Sequence, residues 1–213
     1  MKHFITGIAV AATTALALGT VAPAQAAEAG SADRRAGTKS LARVLAADGN
    51  RFDKNWQDFD ILERGVLTVL KAKPDSAVAL LTQGRKRATA FLPTDAAFRA
   101  LVKDISGTAP RTERATFKAL ASVADVDTLE SVLLYHVVAG KTLTSKKVVR
   151  ADGMRITTAN GAKVGIRVNG KRVVITDLDR NDRNARVVAV DVNKGNRQVG
   201  HAINRVLRPI DLP

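Results

Sequence analysis

Apolar positions repeat with a helical period in the first half of the chain and with a period of two in the second. Ser40 caps a short helix in which Leu41, Val44 and Leu45 share one face, and Asp48-Gly49-Asn50 ends it. Over residues 60–73 the positions Ile61, Leu62, Val66, Leu67, Val69 and Leu70 form a broad apolar face, and Pro74 stops the helix. Residues 88–92 read as a short strand ended by Pro93. Another helix follows, buried through Phe98, Leu101 and Val102, with the Thr94 hydroxyl or the Asp95 carboxylate expected to accept the orphan N–H groups of Ala96 to Phe98. Residues 129–138 read as a mostly apolar helix or helix end, closed by Ala139-Gly140.

From Met154 onward, runs of Val, Ile and Thr alternate with polar residues between the turn signals Asn160-Gly161 and Asn169-Gly170. Residues 186–192 and 201–207 are two further strands. With Asn169-Gly170 at the tip of a type I′ hairpin, Val168 pairs with Lys171, Arg167 with Arg172, and Ile166 with Val173. Val164, Ile166, Val168, Val173 and Ile175 then face the core, while Lys163, Arg167 and Arg172 share the outer face. Helices followed by antiparallel strands imply an α+β fold rather than a doubly wound parallel sheet.

Residues 1–26 have the plan of a secretory signal peptide. Lys2 is followed by an uncharged apolar run over residues 4–18, and Ala24-Gln25-Ala26 offers a small-x-small cleavage site. A membrane anchor is the rival reading, but a spanning helix needs about 20 apolar residues and this run is shorter. Cleavage leaves 187 of the 213 residues, enough for one sizeable domain. Residues 27–55 read as a flexible lead-in with the short helix, and 56–213 as the domain itself. No later run is long enough to anchor the product, so it is expected to be secreted and not membrane-spanning. The chain has no cysteine, which removes disulfides, thiolate nucleophiles and thiolate metal sites.

The formal net charge of +14 is concentrated late in the chain. Residues 141–213 carry 16 basic and 6 acidic side chains, against 17 and 14 in residues 27–140. Such a field favours polyanions such as envelope polymers or acidic polysaccharides, although charge also serves solubility. Specific nucleic-acid binding is not expected, because aromatic residues are 4% of the chain and supply no stacking surface.

Three segments carry a family resemblance. The strand-to-helix string Thr89-Ala90-Phe91-Leu92-Pro93-Thr94-Asp95-Ala96-Ala97-Phe98 resembles the T-x-F-x-P-T-D-x-A-F signature of the fasciclin domain. Downstream, Leu133-Leu134-Tyr135-His136-Val137-Val138-Ala139-Gly140 is similar to that family's L-L-Y-H-V-V-x-G segment. The stretch Val199-Gly200-His201-Ala202-Ile203-Asn204-Arg205-Val206-Leu207-Arg208-Pro209 resembles its closing motif, with Gly200 in place of a branched apolar residue and Asn204 in place of Asp. The resemblance implies a wedge of strands packed with several helices and an extracellular adhesion role. It also implies structural roles for Thr94, Asp95, Tyr135, His136, His201 and Asn204, and associates the Tyr135-His136 segment of animal members with receptor contact.

Acid–base chemistry has one candidate pair, Asp95 and His136, which would make the protein a secreted hydrolase. Against it, neither a Gly-x-Ser-x-Gly elbow nor a His-Glu-x-x-His string occurs. The competing expectation is a buried His136 bonded to the Thr94-Asp95 turn. The loop Asp177-Leu178-Asp179-Arg180-Asn181-Asp182 has oxygen side chains at the first, third and fifth positions of a calcium loop. It lacks the glycine and glutamate such loops require and holds arginines instead. The sequence thus predicts no enzyme activity, no cofactor and no metal, and an anionic polysaccharide or a surface protein as partner.

Overall fold

The computed structural model describes residues 36–49 and 51–210. The signal-peptide assignment lies outside the described residues. The elements in chain order are α1 (Leu41–Leu45), a 3-10 turn (Ala46–Asp48), α2 (Asp60–Ala72), a 3-10 turn (Ala77–Thr82), β1 (Ala88–Pro93), α3 (Asp95–Ser106), α4 (Glu113–Val123) and α5 (Val126–Tyr135). Then come β2 (Val137–Ala139), α6 (Ser145–Arg150), β3 (Arg155–Thr157), β4 (Lys163–Asn169), β5 (Arg172–Thr176), β6 (Ala185–Val192) and β7 (Gln198–Ile203).

Helices occupy most of the first half and strands the second, as the change of period predicts. One seven-stranded sheet runs in the order β2-β1-β7-β6-β5-β4-β3. It is mixed rather than wholly antiparallel, since β1 pairs in parallel with β7 from Ala88↔Gln198 to Pro93↔Ile203. The span read as a single helix over 129–138 divides at His136: α5 ends at Tyr135, and Val137 to Ala139 pair with β1. An apolar run this short suits either conformation, and the free edge of β1 decides it.

The core has two parts that meet at β1. Ala88, Ala90 and Leu92 face the helices, packed with Ile61, Val66 and Val69 of α2. Phe91 faces the other way, against Tyr135, Ile166, Ile175, Ile203 and Leu207. Within α2, Gly65 faces α5, where a Cβ would make ordinary contact with a methyl of Leu129 at 3.7 Å. Leu41 and Leu45 of α1 are buried among the helix-side residues. The amide of Gln198 fastens that helix in place, accepting the Leu41 N–H at 2.9 Å while donating to the carbonyls of Leu80 and Gln83. The compact unit accordingly begins at Ala36, and α1 belongs to it.

Candidate functional site

The β4–β5 hairpin has a different register from the one the turn signal suggests. Asn169 pairs with Arg172, Val168 with Val173, Arg167 with Val174 and Ile166 with Ile175, so the two-residue loop is Gly170-Lys171. Gly170 takes φ 57° at the first loop position, where type II′ hairpins use glycine. Arg167 therefore lies diagonal to Arg172 instead of directly opposite, which relieves a like-charge pairing. The facing of side chains survives the shift. Val164, Ile166, Val173 and Ile175 are buried and Val168 half-buried, while Lys163, Arg167 and Arg172 are exposed together.

Two cations that the sequence reading missed join them. Arg155 on β3 pairs with Gly165, and Arg186 on β6 pairs with Val174, which puts both on the same outer face, both exposed. Finding them needs the β3–β4 and β5–β6 registers, which no local signal fixes. Lys163, Arg167, Arg172, Arg155 and Arg186 thus span four adjacent strands, and none forms a salt bridge with a described residue. A groove of about 740 Å³ opens beside them, lined in part by Arg155, Arg167, Asn169 and Thr176.

Asp95 and His136 are both buried, yet they serve different backbones. Asp95 Oδ1 accepts the N–H of Ile61 at 3.0 Å and so caps α2, not its own helix. In return, the carbonyls of Asp58 and Trp56 accept the N–H groups of Asp95 and Ala96, and the Thr94 hydroxyl makes no capping bond. His136 Nδ1 donates to the carbonyl of Val132 at 2.7 Å, and its Nε2 accepts the N–H of Leu207 at 2.8 Å. The expected bond from His136 to the Thr94-Asp95 turn is therefore not formed, because both ring nitrogens are already committed. Burial pushes the His136 imidazole down to about 4, so the ring is neutral at physiological pH.

One edge of His136 lines an apolar cavity of about 380 Å³ between α2, α3, α4 and α5, alongside Phe98, Phe117, Leu129 and Val206. Asp95 does not reach this cavity. Its acid partners lie elsewhere, at Asp58 and Glu113, and burial with their charge pushes the Asp95 carboxyl upward.

The remaining motif residues are interior braces. Tyr135 is fully buried and its hydroxyl donates to the carbonyl of Lys163 at 3.2 Å, which removes the Tyr135-His136 segment from the surface. His201 Nε2 donates to the Leu143 carbonyl at 2.7 Å. Asn204 exchanges bonds with Arg186: its Oδ1 accepts the Arg186 N–H at 2.8 Å, and its own N–H reaches the Arg186 carbonyl. A neutral amide suffices for that role. The adjacent ionic role falls to Arg205, bonded to Asp104 and Asp182 at 2.8 Å each. Arg208 holds Asp179 at 2.9 Å, so the would-be calcium loop is neutralised by two arginines. No described helix is long and apolar enough to cross a membrane.

No curated protein matches this chain. Among solved structures, a FAS1 domain pair from the insect cell adhesion molecule Fasciclin I is similar, with a TM-score of 0.53 and 19% identity over 80% of this chain. This chain spans about half of that structure, 51% of its length, and the likeness extends to the fold. The fasciclin domain model matches residues 66–209, taking in the strand-to-helix string, the end of α5 with β2, and the β7 motif, and the chain belongs to the fasciclin domain family.

Proposed function

We propose that the protein is an exported, non-enzymatic adhesion module that holds an anionic polymer of the cell envelope or matrix against the outer face of β3 to β6. The observation that carries this reading is the set Arg155, Lys163, Arg167, Arg172 and Arg186, exposed on one face with no salt bridge to a carboxylate among the described residues. Guanidinium forks suit carboxylate and phosphate groups, and four adjacent strands present them together on one face. Family membership supports an adhesion role. The hydrolase reading gains nothing from the geometry, since Asp95 and His136 bond to separate peptide groups and not to each other.

Titration of the mature protein with a polyuronate at several salt concentrations tests the proposal. Binding should weaken steeply as salt rises, and Arg167→Gln with Arg172→Gln should weaken it about tenfold at low salt and flatten its salt dependence. Equal binding by the double variant at low salt would remove this face from the reading.

A further inference from the structure

Five carboxylates converge where three helices begin. Asp58, in the loop before α2, has oxygens within 4.8 Å of those of Asp95 and Glu113, and is also within that distance of Asp53 and Asp60. Asp60 is the first residue of α2, Asp95 of α3 and Glu113 of α4. Carboxylates at helix starts are ordinary taken one at a time, since each offsets a dipole. Bringing them together with Asp60, Asp95 and Glu113 buried is not.

Glu113 is fully buried and neither carboxylate oxygen has a well-formed hydrogen bond, the Asp53 peptide N–H being a donor that faces it. Asp95 is likewise fully buried: its Oδ1 accepts the Ile61 N–H, its carboxyl meets that of Asp58, and its Oδ2 has no N–H donor. Neither residue takes part in a salt bridge with a described residue. Two arginines near the cluster stack on rings: Arg114 lies 5.6 Å from the Phe52 ring and Arg99 5.1 Å from that of Trp56. A buried carboxylate left without a partner is costly, and folds keep one where something else supplies the positive charge.

From this geometry we infer that Asp58, Asp95 and Glu113 form a calcium site, with Asp53 and Asp60 completing it from the loop side. The donors are all oxygen, which selects a hard cation over zinc or copper. Two of the three central ligands have no access to water, which favours calcium over magnesium, an ion that gives up its hydration water reluctantly. The ion would pin the 52–60 loop to the starts of α3 and α4, joining segments far apart in the chain. The sequence expectation of no metal is set aside on this point, because Asp58 and Glu113 belong to no calcium motif and only the fold brings them to Asp95.

The test uses mature protein stripped with chelator and then titrated with calcium chloride. One equivalent should bind and raise the Tm by about 5–10 °C at a hundredfold excess over Kd, with magnesium much less effective. The single tryptophan, Trp56, lies in the site loop, so terbium bound there should show tryptophan-sensitised emission that calcium displaces. Glu113→Gln keeps the shape, removes a charge and should weaken calcium binding at least tenfold. Asp182→Asn, in the arginine-neutralised loop, should leave it unchanged. No calcium-dependent shift in the wild type, equal response to magnesium, or full binding retained by Glu113→Gln would each overturn the assignment.

Discussion

His136 Nε2 takes the peptide N–H of Leu207 at 2.8 Å, tying the end of α5 to the chain just beyond β7 across 71 residues of sequence. Replacing His136 with alanine strands that buried N–H and the Val132 carbonyl contact, and should cost about 1–3 kcal/mol in urea unfolding. Polymer binding by the folded variant should be unchanged, and an unaltered Tm would contradict the bracing role.

The same ring makes stability depend on pH. With a folded value of about 4 against 6.5 in the unfolded chain, the unfolded state binds more protons between those limits, so His136 makes stability rise with pH there. Its contribution, about 3 kcal/mol, is complete above pH 6.5 and disappears as pH falls toward 4. Burial moves His201 the same way. Unfolding free energies for wild type and His136→Ala should therefore converge on acidification from pH 7 to pH 4, and a constant difference would refute the linkage.

Arg208 is nearly buried and binds Asp179 at 2.9 Å and Asp104 at 3.0 Å, with Asp182 at 3.3 Å. Arg208→Met leaves the fully buried Asp179 side chain without its counter-charge and should destabilise by about 3–5 kcal/mol. Adding Asp179→Asn should restore part of the loss in a double-mutant cycle. Additive effects of the two changes would show that the pair is not coupled.

Gly200 stands where the family pattern has a branched residue, and the packing explains the exchange. A Cβ there would collide with the end of Leu92 on β1, with Leu41 of α1 next at 3.4 Å, so the Leu92 side chain fills the volume such a side chain would occupy. Gly200→Val should cost about 1–3 kcal/mol by overpacking. Leu92→Ala in the same chain should lower that cost, and no relief would mean that Leu92 is not what excludes the larger residue.

Much of the architecture was legible in the residues themselves. The helical face of α2, its stop near Pro74 and the inward set Val164, Ile166, Val173 and Ile175 follow from periodicity alone. The hairpin register did not, for a physical reason. Moving the loop from Asn169-Gly170 to Gly170-Lys171 leaves every side chain on its own face, so the hydrophobic pattern fits both registers. Asp95 shows a different limit. Its place at a helix start reads as a local cap, whereas the preceding loop already caps α3 with backbone carbonyls and releases the carboxylate to α2. Glu113 gives no local sign of burial, being one acid at the start of one amphipathic helix. Only the convergence of three helix starts makes it unusual.

The parallel pairing of β1 with β7 fixes when this chain can finish folding. Residues 198–203 slot between β1 and β6, so neither neighbour has its inner edge satisfied until almost the whole sequence is available. Until residues 198–203 are available the sheet stays in two halves, β2-β1 and β6 to β3, and its closure waits for its last strand in the chain.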